Sequence, residues 1–425
     1  MTNNSARLLA AVALSIASLL PASNVAAQSA WQSPHETLLR AHQGSTPLRA
    51  ENVGFPTKAQ LEHRARDKGV TVMGYLPYWE DANNLPWEHL DVLAWFSAEV
   101  EADGSLSDLH GWGGSGSDAL IEAAHAAGAI VVLSATRFGD EELAELLSSP
   151  TRRTTAVNNL IDAMTAGGGD GIDIDFEGLD LANRNDFINF IVELRTAMQL
   201  AQPDSYLSLA TPAVDWDGAY DYDVLAEHSD LLFIMGYAFS GSWSDPRPNA
   251  PLWSSDQWGS RSLQWSAQDY IEWAGIENAS EIVMGLPLYG GTWIANSDQL
   301  GAESIDYLGA TFYDTCQQRF EERGRYWDSD SDTPWIAWQQ DGQWRQTWCE
   351  DEVSIALKAQ MALDQGLGGF GFWALNYDDA DPSLWAAVSE VIEGRLQTGD
   401  DDDSAGGDDD DSAGGDDDDS AGGDD

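Results

Sequence analysis

The chain has 425 residues, 43% apolar and 22% charged, enough for one large domain or two small ones with a sizeable core. Seventy-two Asp and Glu against twenty Lys and Arg give a formal net charge of −52, which argues against nucleic acid and anionic membrane surfaces as partners. Fourteen of those negative charges fall in the C-terminal tail, so the remainder still carries −38; with only three lysines (Lys58, Lys68, Lys358), the composition points to a salt-adapted organism, because ions screen such self-repulsion.

The first residues read as an export signal covering 1–27. Arg7 supplies the positive start, Leu8 to Leu20 the apolar stretch and Val25-Ala26-Ala27 the small-residue cleavage site. That stretch is too short to span a bilayer and no other is apolar enough, so the expectation is a secreted protein without a membrane span, held at the cell surface, if at all, through its C-terminal tail. Residues 28–69 are polar and interrupted by proline, a leader with a short helix near Lys58 to Lys68.

Eight apolar runs follow: Val70 to Leu76, Asp91 to Ala98, Ala129 to Ala135, Gly171 to Glu177, Tyr206 to Ala213, Leu231 to Tyr237, Ile282 to Leu288 and Gly368 to Leu375. Most are continuous rather than alternating, as strands of a helix-covered parallel sheet are. Helical patterns lie between them, such as Asp118 to Ala127, Arg184 to Leu200 and Ser266 to Gly275, the last with an N-cap residue at one end and a C-cap residue at the other. Eight such alternations between residues 70 and 397 predict an α/β fold, a (β/α)₈ barrel. The interval 289–366 is too long for a helical crossover and rich in aromatics, which predicts a small α+β insertion between strands seven and eight. It holds both cysteines, Cys316 and Cys349; export favours a disulfide between them, buried free thiols being the alternative. Residues 398–425 are dominated by an Asp-Asp-Asp-Asp-Ser-Ala-Gly-Gly repeat with no apolar side chain larger than Ala, which predicts a disordered tail.

The chemistry concentrates in Asp170-Gly171-Ile172-Asp173-Ile174-Asp175-Phe176-Glu177. On a strand, Asp173, Asp175 and Glu177 share one face and Ile172, Ile174 and Phe176 the other. Crowded carboxylates cannot all ionise, so their pKa values are driven apart and one can serve as an acid. A wet antiparallel strand could also carry such a row. A calcium loop starting at Asp173 fails, because its twelfth position is Arg184. The longer pattern, with Gly167-Gly168-Gly169 before it and an amphipathic helix after it, resembles the D-G-x-D-x-D-[WF]-E signature of glycoside hydrolase family 18, the chitinase family.

The resemblance implies a substrate-assisted reaction, for which the usual pair of catalytic carboxylates is replaced by one carboxyl and the substrate's own acetamido group. Glu177 would protonate the glycosidic oxygen, Asp175 would hold the acetamido N–H, and Asp173 would share a proton with Asp175; Asp170, of opposite parity, reads as structural support. Met235-Gly236-Tyr237 resembles the strand-six M-x-Y, with Tyr237 bonding the acetamido group. Trp373 matches the tryptophan flooring the sugar subsite before the scissile bond, and Tyr75 and Tyr289 resemble cleft residues of strands one and seven. Departures are Ala238 where the family commonly has Asp, Ser134-Ala135-Thr136-Arg137 on strand three and Gly291 after Tyr289-Gly290. The expectation is therefore a retaining glycosidase, a monomer without cofactor, acting on chitin or a related polymer of β-1,4-linked N-acetylglucosamine. Peptidoglycan or N-glycan cores are the rival substrates, and a non-cleaving lectin is the reading from another class, disfavoured by an intact Glu177. The seven histidines show no ligand spacing, so no catalytic metal is expected.

Overall fold

The apolar runs close into a ring. This computed structural model describes residues 33–63 and 69–400, the side chains of 62, 63 and 395–400 excepted; the export signal and the Asp-rich repeats beyond Asp400 lie outside the described residues. Two helices, α1 (Pro34–Ala41) and α2 (Lys58–His63), precede the first strand; the rest of the helix expected near Lys58 to Lys68 lies outside the described residues. The chain continues through β1 (Thr71–Pro77), β2 (Val92–Val100), a short return strand β3 (Leu106–Asp108), α3 (Ser115–Ala127), β4 (Ile130–Phe138), α4 (Asp140–Leu147), α5 (Pro150–Gly167) and β5 (Gly171–Glu177). Then come α6 (Arg184–Ala201), β6 (Tyr206–Pro212), α7 (Tyr222–His228), β7 (Leu231–Met235), α8 (Leu263–Ala274) and β8 (Ile282–Pro287). The insertion comprises β9 (Tyr289–Ala295), β10 (Ser304–Phe312), α9 (Tyr313–Arg323), β11 (Tyr326–Asp328), β12 (Thr333–Gln340) and β13 (Gln343–Trp348), before α10 (Glu352–Asp364), β14 (Gly369–Trp373) and α11 (Pro382–Asp400).

Strands β1, β2, β4, β5, β6, β7, β8 and β14 pair in parallel in that order, and β14 pairs back to β1, so the barrel has no free edge. Burial on both faces explains the continuous apolar runs: every residue of β5 is buried. Its outer face is Phe176 against Phe187 and Phe190 of α6, ring centroids 6.4 and 5.3 Å apart. The glycine run before β5 is also explained. Gly168 ends α5 at φ +74°, while a Cβ on Gly167 or Gly169 would lie 2.1 or 2.7 Å from the Trp112 ring. Helix α8 starts earlier than sequence suggested. Its N-cap is Ser262, which accepts from Trp265 N–H, and Ser266 instead donates to Ala213 O.

The insertion is a five-stranded antiparallel sheet, β10-β9-β13-β12-β11, rising from the rim where β8 ends. Trp293, Trp335 and Trp348 pack with Trp258 from the loop after β7, tying the sheet to the barrel. Cys316 of α9 is bonded to Cys349, 33 residues on, a closure that stabilises by roughly 3–4 kcal/mol on the chain-entropy view. Behind the sheet, Lys358 of α10 is fully buried with Glu350, its ammonium also donating to Thr333 Oγ1 at 3.2 Å.

Inside the barrel, two glycines make room for one ring. A Cβ on Gly285 of β8 would lie 2.2 Å from Phe233, and one on Gly371 of β14 would lie 2.7 Å from it. Phe233 in turn meets Tyr75 edge-on at 5.0 Å.

Candidate active site

Strand parity puts Asp173, Asp175 and Glu177 in one row that climbs to the C-terminal rim, and all three are buried. The barrel register decides their partners. Asp173 lies level with Ser134 of β4 and Ser208 of β6, and both hydroxyls donate to it, at 2.8 and 2.7 Å. Tyr75 of β1 adds a third hydroxyl at 3.2 Å. Among the described residues, Asp173 is thus held by three O–H donors and by no cation. Ser134, which opens the strand-three stretch Ser134-Ala135-Thr136-Arg137, has a place in this network.

The next carboxylate faces a group that the sequence did not connect with it. His35, fully buried near the start of α1, places Nδ1 2.8 Å from Asp175 Oδ2 and Nε2 2.8 Å from the Tyr237 hydroxyl. A neutral ring can satisfy both, donating to the carboxylate and accepting from the phenol. The imidazole stacks on Trp373 with centroids 3.7 Å apart. Ser33, the N-cap of α1, donates to Glu177 Oε1 at 2.5 Å. The stretch expected to be a plain leader therefore enters the barrel mouth. Its helix follows from Ser33 as cap, Pro34 in the first turn, and His35, Leu38 and Leu39 on one buried face.

Burial sets the electrostatics. It pushes the Glu177 carboxyl up to about 8, with the neighbouring Asp175 charge adding to the rise. Asp175 is likewise raised to about 8 and Asp173 to about 7, both chiefly by burial, while His35 is lowered to about 4. Asp175 Oδ1 and Glu177 Oε2 are both buried without a hydrogen-bond partner among the described residues. One proton shared between these carboxyls would satisfy both, which is how adjacent acids avoid a double charge.

The other sequence-derived positions divide. Tyr75, Tyr237, Met235, Tyr289 and Trp373 gather at the mouth, the Tyr289 ring 6.0 Å from Tyr237. Asp170 lies apart, at the start of β5, where it accepts from Val131 N–H at 2.7 Å and from His125 at 2.8 Å. Beyond Glu177 an open cleft of about 570 Å³ runs past Trp216, Trp243, Trp258 and Arg261. Trp216 is 75% exposed on its rim. Sequence reading singled out none of these four; for the three tryptophans the only signal is the count of nineteen in the chain, and Arg261 carries none.

His35, Asp175 and Glu177 also form the one group of three potential metal ligands, among the described residues, whose donor atoms lie within 4.8 Å of one another. A His and two carboxylates suit a divalent ion. Each carboxyl has an oxygen to spare, but both ring nitrogens of His35 are already bonded, to Asp175 and to the Tyr237 hydroxyl, so an ion held by all three residues would have to break one of those contacts.

Ala238 closes the Tyr237 corner at φ +63°, its N–H donating to Asn249 Oδ1 at 3.1 Å, and it lines the cleft with Glu177. Asp tolerates this left-handed conformation better than Ala. Ala238→Asp should therefore fold, and its negative charge should raise the Glu177 pKa further, keeping the acid protonated to higher pH. The expected result is an alkaline limb of kcat/KM shifted upward in pH; superimposable profiles would place residue 238 outside the reacting array.

Residues 71–378 match the family described as "Glycosyl hydrolases family 18". A Bacillus subtilis protein named as a sporulation-specific glycosylase, YdhD, is 28% identical over 58% of this chain and 56% of its own length. A Caenorhabditis elegans protein named as an endochitinase is 28% identical over 57% of this chain and 42% of its own, so the chain spans about half the length of these relatives. Among solved structures, a chitinase of Rhizomucor miehei superposes with a TM-score of 0.66 at 22% identity, covering 76% of this chain and 99% of that one, a likeness of fold.

Proposed function

Because the chain belongs to family 18 of the glycosyl hydrolases, we propose that it is a secreted, retaining glycosidase that cleaves β-1,4-linked N-acetylglucosamine polymers, chitin foremost, with help from the substrate's own acetamido group. The observation that carries this reading is the burial of Asp175 and Glu177 side by side under Tyr237 and Trp373, with room for one proton between the carboxyls. A carboxyl raised to about 8 remains protonated at neutral pH and can act as an acid.

Glu177 gives its proton to the leaving oxygen as the C1–O bond breaks. The acetamido oxygen closes on C1 from the opposite face, forming an oxazolinium ion. Asp175 takes the hydrogen bond from the acetamido N–H, and its negative charge offsets the developing positive charge. Glu177, now ionised, takes a proton from the water that opens the ring, and two inversions at C1 return the original anomer. Tyr237 orients the acetamido oxygen and Trp373 floors the sugar ring. Asp173, held by three hydroxyls, sets the position and charge of Asp175 from below.

Product analysis by NMR, run in parallel on chitin oligomers, peptidoglycan and a glycoprotein, tests this reading. The expected first product is the β-anomer, released from the chitin oligomers. An α-anomer would overturn the substrate-assisted route, and release from one of the other polymers alone would reassign the substrate.

A further inference from the structure

On the reading above, the groups that should hold the 2-acetamido sugar are already engaged by this chain's own N-terminal segment. His35 lies flat on Trp373, where a sugar ring would stack, and bonds both Asp175 and Tyr237, the two groups assigned to the acetamido. Ser33 holds the acid itself. Pro34 lines the same cleft, and Leu38 and Leu39 are buried beneath the helix. We infer that residues 33–41 are a built-in inhibitor that fills the sugar site, and that hydrolysis by an endopeptidase in the exposed loop 43–46 frees the enzyme for catalysis.

The contacts are those of a seated ligand. A buried, neutral imidazole with both nitrogens bonded, stacked on a tryptophan, leaves no space for a pyranose on the same face. The segment is anchored again downstream. His42 stacks on Trp79 at 4.4 Å, its carbonyl accepts from the Tyr78 hydroxyl, and Leu48 N–H donates to Tyr78 O at 2.9 Å. Between these anchors Gln43, Gly44 and Thr46 are exposed, and Gly44, at φ +79°, has no atom within 4 Å of where a Cβ would stand. Such a loop is open to a protease in a way that the buried helix is not. Cutting one peptide bond there, with water adding across it, leaves α1 held only by non-covalent contacts. It then competes with substrate as a separate molecule that dilution removes. While tethered, the segment lowers apparent affinity in proportion to the fraction of molecules left open; one open molecule in a hundred means an apparent Kd about 100-fold weaker.

The test uses the full chain with residues 43–46 replaced by the recognition sequence of a site-specific protease, and an uncut chain carrying Ser33→Ala and His35→Ala. Two readouts are followed: hydrolysis of soluble chitin oligomers, and carbodiimide-driven coupling of glycine ethyl ester to Asp175 and Glu177, read by mass spectrometry. The second needs no substrate. The expected result is a rise of about tenfold or more in both, on cutting and in the double variant. A synthetic peptide spanning residues 33–48 should reverse it. No rise in carboxyl reactivity in either protein overturns the inhibitor. A rise in reactivity with no hydrolysis of any 2-acetamido polymer keeps the inhibitor and overturns the proposed function.

Discussion

Glu177→Gln should lower kcat on chitin oligomers by about 10²- to 10⁴-fold, the range that a lost general acid costs, while oligosaccharide affinity stays close to that of the parent. The amide is nearly isosteric and still accepts from Ser33, so the pocket keeps its shape; what disappears is the proton. With α1 docked the carboxyl is raised to about 8, and in the open site activity should likewise fall at the pH where the acid ionises. The variant should show no such limb. Stopped assays and calorimetry, on cut and uncut chains alike, separate the two effects. Residual turnover within tenfold of the parent would move the acid to another residue.

The second large effect concerns stability. Glu350→Ala should destabilise the fold by about 3–5 kcal/mol, because it removes the carboxylate paired with the buried Lys358 ammonium and leaves a threonine hydroxyl as its hydrogen-bond partner. Burial pulls Lys358 down and pushes Glu350 up, and the charge of each works against that shift in the other. Replacing both, by Glu350→Leu and Lys358→Met, should recover most of the loss, since an apolar pair needs no counter-charge. Thermal melts of the three proteins decide it. A double variant as unstable as the single one would mean that shape, and not charge, is what matters there.

The barrel and the carboxylate row were legible in the sequence because both are local. A strand's parity places Asp173, Asp175 and Glu177 on one face whatever surrounds them, and eight apolar runs, most of them continuous, need only a cover of helices. The insertion was legible as an interval too long for one helix. His35 was not legible, although its helix could have been: Ser33, Pro34 and the apolar spacing of His35, Leu38 and Leu39 are all local signals. What that helix docks against is 140 residues away from His35, and no spacing rule spans that separation. The start of α8 was misplaced for a related reason. Ser262 and Ser266 are both good caps, and the choice fell to Ala213, which takes the Ser266 hydroxyl from another element.

The ring of Phe233, lodged between two glycines and abutting Tyr75, has a consequence for how this chain can drift in sequence. A methyl group at position 285 or 371 would press on the Phe233 ring and also on a backbone carbonyl, Ile234 O at 2.6 Å or Met73 O at 2.5 Å, so a smaller residue 233 would not by itself make room, and it would leave Tyr75 unsupported. The Tyr75 hydroxyl then loses its aim at Asp173. The two glycines are thereby fixed by the barrel's own backbone as well as by the ring, and the ring by the tyrosine it steadies beneath the acid row.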